Sequence, residues 1–248
     1  MFKRASKPKY RNPAVKEAIF EAKFNYDSFD SAMPGQIFEL VKSKYPHKQD
    51  VKHELIFLEK DVSSQPSGMP KIQAPLMRVR SSDNSELLQF GPGIIVANRL
   101  KYTEWEDFLP AITQITNSYL DVASPKITNR VGIRYINSFL ISEPNLNIFD
   151  YFKINIDIPQ ALSTLNGFNL VFENVVDSFC IRTRFLTDVL APNEVGNKFI
   201  LDIDCYTASD FKPTTKEIIN LAERAHEIVG GIFEEIITDK SRVLMGSK

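Results

Sequence analysis

The stretch from Pro213 to Met245 constrains the fold more than any other part of the chain. Thr214 and Glu217 form a T-x-x-E capping box directly after Pro213, a strong helix-start signal because the threonine oxygen accepts from a backbone N–H that the first turn leaves unbonded. Apolar residues then return at Ile218, Ala222, Ala225, Val229, Ile232 and Ile236, steps of three and four that gather them on one helix face. Leu221, Ile228 and Phe233 widen that face beyond a narrow seam. The spacing predicts the longest helix of the protein, lying flat on a large apolar surface.

Strands are the expected source of that surface. From Val15 to Tyr26, Ala18, Phe20, Ala22 and Phe24 alternate with Glu17, Ile19, Glu21 and Lys23. Further strands are expected at 53–61, 76–80, 86–90, 94–98, 129–139, 168–176, 179–187 and 198–206. A helix is expected over 31–45, with Pro34 in its first turn and Pro46 as its stop. Thr103 and Glu106 make a second T-x-x-E box, opening a helix through Trp105, Phe108, Ile112, Ile115 and Tyr119. Residues 62–75 hold three prolines, one glycine and three serines and read as an exposed loop. Residues 148–162 read as a mixed, partly helical stretch broken by Pro159. Gly91-Pro92-Gly93 reads as a turn, since a phosphate-cradling loop needs more glycines and a helix behind it.

The element order of the first half recurs in the second: a strand, a helical or irregular piece, several strands, and a long capped helix. Thr103 and Thr214 open the two long helices, and Ile127-Thr128-Asn129-Arg130 matches Ile237-Thr238-Asp239-Lys240 at nearly the same offset. The expected fold is α+β, a curved antiparallel sheet with two long helices on one face and an internal duplication. Residues 1–12, with Lys3, Arg4, Lys7, Lys9 and Arg11, read as a basic flexible arm. The halves 13–125 and 126–248 would form one continuous domain. This order is similar to that of TATA-binding protein, a likeness of fold alone.

Composition narrows the partners. The formal net charge is -1 over 248 residues, so no global field draws the chain to nucleic acid or membrane, and charge-based binding must come from a local patch. Cys180 and Cys205 sit inside apolar segments with no C-x-x-C pairing, as expected of buried thiols in a reducing compartment. No apolar run reaches the roughly 18 residues of a membrane span, and the N-terminus has no apolar signal region. These features predict a cytoplasmic protein without a membrane partner.

Three segments, in order, resemble a sporadically distributed, functionally uncharacterised family of prokaryotic proteins. They are Asn12-Pro13-Ala14-Val15-Lys16-Glu17-Ala18 near the start and Asn129-Arg130-Val131-Gly132-Ile133-Arg134-Tyr135-Ile136-Asn137 in the middle. The third is Ala225-His226-Glu227 with Phe233-Glu234 and Ile237-Thr238-Asp239-Lys240. Leu100 stands where the family pattern has a tryptophan. The resemblance implies no reaction, ligand or catalytic residue. The family's patchy distribution implies a mobile-element or defence context.

The candidate chemistry lies on the strands. Arg78 and Arg80, Arg130 and Arg134, and Arg182 and Arg184 are evenly spaced, as are Glu17 and Glu21, and Asp202 and Asp204, so each pair points to one side of its strand. With the apolar alternates under the helices, all ten residues share the opposite face. Guanidinium forks on such a face suit phosphate or carboxylate groups, while the acids can neutralise most of them as cross-strand ion pairs. Arg130 and Arg134 stand out because they fall in the middle motif. The expected function is non-catalytic binding of an anionic ligand, nucleotide or nucleic-acid-like, or of a partner protein, with no cofactor. One rival is a metal-dependent phosphoesterase or nuclease using the acids; another is a homodimer interface on the same face. His47, His53 and His226 have no metal-ligand spacing. His226 beside Glu227 reads as a hydrogen-bonded helix-face histidine, because adjacent helix residues point about 100° apart. No G-x-S-x-G elbow is present, and neither cysteine has a cationic neighbour in sequence.

Overall fold

The computed structural model of the protein describes residues 10–25, 30–51, 76–143, 146–154 and 167–246. Nine strands make one open antiparallel sheet: β1 (Val15–Asn25), β2 (His47–Val51), β3 (Leu76–Arg80), β4 (Glu86–Gly91), β5 (Ile94–Arg99), β6 (Ile127–Ile141), β7 (Asn169–Val176), β8 (Phe179–Asp188) and β9 (Asn197–Thr207). Their order is β2-β3-β4-β5-β1-β6-β9-β8-β7. Each half therefore places its first strand at the centre, its last strand next to that, and its earlier strands outward. Helices α1 (Met33–Val41), α2 (Trp105–Ala123), α3 (Thr215–Ile236) and α4 (Asp239–Leu244), with one 3-10 turn at Ile148–Asp150, complete the described elements.

Strand parity decides what lies under the helices. Ala18, Phe20 and Ala22 of β1 are fully buried, together with Ile95 and Ala97 of β5, Val131 and Ile133 of β6, and Leu201, Ile203 and Cys205 of β9. The α2 residues Phe108, Ile112, Ile115 and Tyr119 and the α3 residues Ile218, Ala222, Ala225 and Val229 close this layer, α2 resting on β4 and β5 and α3 on β6 and β9. The expected α+β arrangement, an antiparallel sheet with both long helices on one side, is what forms. Among the described residues no helix is long and apolar enough to cross a membrane.

Polar contacts bind the two long helices to the sheet. The Trp105 ring of α2 stacks on His226 of α3, centroids 4.5 Å apart and planes 4° apart. His226 Nδ1 lies 2.8 Å from the Tyr135 hydroxyl of β6, itself 3.1 Å from the Tyr102 hydroxyl. Burial pushes the Tyr135 hydroxyl well above its ordinary pKa, so it serves this chain as a neutral group. His226 is thus a partly buried helix-face histidine with a hydrogen-bond partner.

Several boundaries differ from the sequence expectation. The Thr103–Glu106 box does not form: Glu104 is the N-cap of α2 and makes no side-chain capping bond, while the Thr103 hydroxyl donates to the Asp107 carboxylate. Thr214 caps α3 as expected, accepting from the Glu217 N–H at 3.2 Å. The terminal helix stops at Ile236 because Ile237 turns extended and fully buried to bridge with Phe152. Thr238 then caps the separate short helix α4. The strand expected at 53–61, the loop at 62–75 and residues 155–162 lie outside the described residues, as do residues 1–9 of the basic arm. The described end of that arm is tied down, with the Tyr10 hydroxyl donating to Glu234 at 2.7 Å and the Asn12 N–H to the Met245 carbonyl at 3.0 Å.

The contrast between the two capping boxes sets a test. Thr214→Ala is expected to cost about 1 kcal/mol of stability, and Thr103→Ala less than half as much. Urea unfolding followed by the fluorescence of Trp105, the single tryptophan, measures both; equal losses would mean that Thr103 also caps.

Candidate functional site

All ten candidate residues stand on the helix-free face of the sheet. In one cross-strand row Arg80 leads through Leu87, Asn98 and Ile19 to Arg134, Asp204 and Arg182. The next row carries Arg78, Gln89, Val96, Glu21, Gly132 and Tyr206. On the other side of the first, Asp202 stands opposite Arg184. Arg130 lies beside a register slip, where Lys23 faces Arg130 but Phe24 faces Thr128. Such a bulge re-aims neighbouring side chains.

At the centre the charges engage one another. Arg134 grips Asp202 with both arms of its fork, Nε to Oδ1 at 2.7 Å and Nη2 to Oδ2 at 2.6 Å. Arg130 divides its fork between Glu21 at 2.6 Å and Asp204 at 2.9 Å. Its guanidinium carbon also lies 3.6 Å from the centroid of the Tyr206 ring, a cation–π contact. Gly132, directly across from Tyr206, leaves the room for this stack. Burial works against the charge on Arg130, yet Asp204 and Glu21 outweigh it and hold its pKa above the ordinary value. Burial likewise pushes the Asp204 carboxyl upward, against the pull of Arg130 and Arg134.

Toward the β2 end the pattern changes. Arg78 donates from Nε and Nη2 to the neutral Gln89 Oε1, both at 3.2 Å. Gln89 donates to Asn98 at 3.1 Å, and Asn98 to Glu17 at 2.6 Å, a relay from β3 to β1. Among the described residues Arg80 makes no ion pair, and its Nε is buried with no hydrogen-bond partner. His47, exposed, stands directly across from it on β2. At the opposite end Arg182 lies 3.5 Å from Glu173, and Arg184 donates to Asn169 at 2.9 Å.

The structure thus brings Glu21, Asp202 and Asp204 onto Arg130 and Arg134, ties Glu17 to an amide, and leaves Arg78 and Arg80 apart from any carboxylate of the described residues. Sequence reasoning missed Tyr206, Gln89 and Asn98. The period-2 signal could have found Tyr206, which continues the Asp202–Asp204 alternation. It also missed Glu86, which faces the helices, 3 % exposed, held by Arg99, by Lys44 at 2.8 Å and by the Tyr45 hydroxyl at 2.5 Å. Among the described residues no three His, Cys, Asp or Glu side chains gather as metal ligands. Burial pushes the Cys205 thiol up to about 12, which keeps it protonated and inert.

Two measurements probe the centre. A Cβ on Gly132 would meet Tyr206 Cβ at 2.8 Å and the Cys205 carbonyl at 3.2 Å, whereas one on Gly35 in α1 meets nothing within 4 Å. Gly132→Ala is therefore expected to lose about 1–3 kcal/mol and Gly35→Ala to gain about 0.5–1 kcal/mol, read by thermal unfolding. For Asp204, whose folded pKa is raised, the folded state binds the proton more tightly than the unfolded chain. Its contribution therefore declines as pH rises from about 4 upward. Asp204→Asn is expected to remove that decline and to be no less stable than wild type at neutral pH; a neutral-pH loss would show that ion pairing outweighs burial.

No protein-family model matches the chain and no curated protein matches it significantly, so the account of the site rests on its geometry.

Proposed function

We propose that this protein is a non-catalytic binding protein whose polar sheet face takes an anionic ligand through a phosphate group, of a nucleotide or a nucleic-acid-like chain. The observation that carries this is Arg80 Nε, buried with no hydrogen-bond partner, beside Arg78. A buried N–H without an acceptor is costly, and a native site keeps one for a reason. Residues two apart on a strand are about 7 Å apart at Cα, which sets two forks side by side for the oxygens of one phosphate or of a pyrophosphate. Arg78 is already oriented by Gln89, so little of its freedom is lost on binding.

The acids complement this role. Glu21, Asp202 and Asp204 are committed to guanidiniums and Glu17 to an amide, an arrangement that favours binding over metal-assisted hydrolysis, since cations already occupy the carboxylate oxygens. We propose also that the fold arose by internal duplication, in the order similar to TATA-binding protein. Its support is the strand order, which reads β1-β5-β4-β3-β2 outward on one side and β6-β9-β8-β7 on the other, the first side one strand longer, with α2 and α3 closing the halves.

Thermal unfolding at constant ionic strength tests the function. Pyrophosphate or a nucleoside triphosphate at about a hundred times its Kd is expected to add about 2.7 kcal/mol of stability by linkage, a shift of several degrees. Arg78→Ala with Arg80→Ala is expected to abolish the shift while keeping the fold, and Arg182→Ala with Arg184→Ala to retain it. Absence of any shift, or its survival in the first double variant, would rule the reading out.

A further inference from the structure

The two outer strands of the sheet are built differently. Strand β2 is five residues long and its sequence carries Lys48 and Asp50. Short, charged strands are the usual protection of a sheet edge against pairing with another chain. Strand β7 is eight residues long, Asn169-Leu170-Val171-Phe172-Glu173-Asn174-Val175-Val176, with no lysine, arginine or proline. Its outer edge pairs with nothing among the described residues. Val171 is 45 %, Phe172 46 % and Val175 68 % exposed. Phe172 points to the helix side, but α3 rests on β6 and β9 and leaves β7 beyond its cover. A long, largely apolar edge that nothing among the described residues covers is a pairing surface.

We infer that β7 is the interface of a homodimer, pairing antiparallel with β7 of a second copy about a two-fold axis through Phe172, so that two sheets join into one. A two-fold axis normal to the sheet must pass through a residue, or the two faces would not match across the join. The two registers with the greatest overlap centre on Phe172 and on Glu173. Centring on Glu173 sets two like charges directly opposite, which is destabilising. Centring on Phe172 sets the two Phe172 rings together and places Glu173 of each copy across from Val171 of the other.

Charge complementarity supports the same register. Val171 lies across from Arg184 on β8, whose guanidinium donates to the Asn169 amide and forms no ion pair among the described residues. In the Phe172-centred dimer, the partner's Glu173 lies two strands from Arg184, with only the small Val171 between. That is about 9.6 Å at the strand spacing, within joint reach of an arginine and a glutamate side chain. Each Glu173 then bridges Arg182 of its own copy and Arg184 of the other, and the two-fold axis presents the bridge twice.

Sedimentation velocity on the full chain across a dilution series tests this. Wild type is expected to be a dimer that dissociates on dilution, and Phe172→Lys a monomer throughout, with wild-type circular dichroism and Trp105 fluorescence. Glu173→Arg and Arg184→Glu are each expected to weaken the dimer severalfold, and together to restore it, because the exchanged charges still face each other. Both positions are exposed, so this pair tests the interface even if Phe172→Lys fails to fold. A wild type monomeric at every concentration, or a dimer indifferent to Phe172→Lys, would overturn the interface. Failure of the double charge exchange to restore association would overturn the register and with it the proposal.

Discussion

Everything in this molecule hangs on the antiparallel pairing of β1 with β6. These strands lie side by side at the middle of the sheet, and the remaining strands of each half extend outward from them. Their register sets Phe20 opposite Ile133 and Ala18 opposite Tyr135 on the helix side, and Ile19 opposite Arg134 and Glu21 opposite Gly132 on the other. Because side chains alternate strictly along a strand, a slip of one residue would send Arg134 under α3 and Ile133 to the polar face. Burial of the phenylalanine and isoleucine is therefore also what positions the arginine. The hydrophobic core and the polar face are two consequences of one ladder.

The polar face that results is electrically uneven. Its centre holds Arg130 and Arg134 against Glu21, Asp202 and Asp204, and one end holds Arg78 and Arg80 with no acid of the described residues in contact. Buried ion pairs of this kind add little net stability, because desolvation offsets most of their attraction. Their effect here is geometric. They fix the side chains of the centre and neutralise it, which in the proposed function leaves an incoming phosphate to the β3 end. The Gln89–Asn98–Glu17 relay connects the two regions, holding Arg78 from the same β1 that carries the central acids.

Much of this was legible in the chain. Period-2 alternation placed all ten charged candidates on one face, and the 3.6 period of α3 with its Thr214 cap named the helix that covers the other. What could not be read was which acid meets which arginine, since Asp202 and Asp204 reach Arg134 and Arg130 only because β9 inserts between β6 and β8, a nonlocal choice. The end of α3 was hidden for the same reason: Ile237 leaves the helix for a partner, Phe152, far away in sequence. Thr103 shows the reverse error, a correct local signal overridden when its hydroxyl donates to the nearby Asp107 instead of capping.

The middle motif, Asn129 to Asn137, carries its own lesson about where to look for a ligand. Its residues account for one another structurally. Arg130 and Arg134 hold the central acids, Gly132 makes room for Tyr206, Tyr135 meets His226, and the Asn137 amide donates to the Leu201 carbonyl at 2.9 Å. Both guanidiniums of this motif already face carboxylates, which disfavours an anionic ligand there. Arg80 Nε, buried with no hydrogen-bond partner, lies on β3, outside this motif. The ends of the sheet are free to differ while the β1–β6 ladder stays the same, so in the proposed function the choice of ligand lies with them and not with the motif.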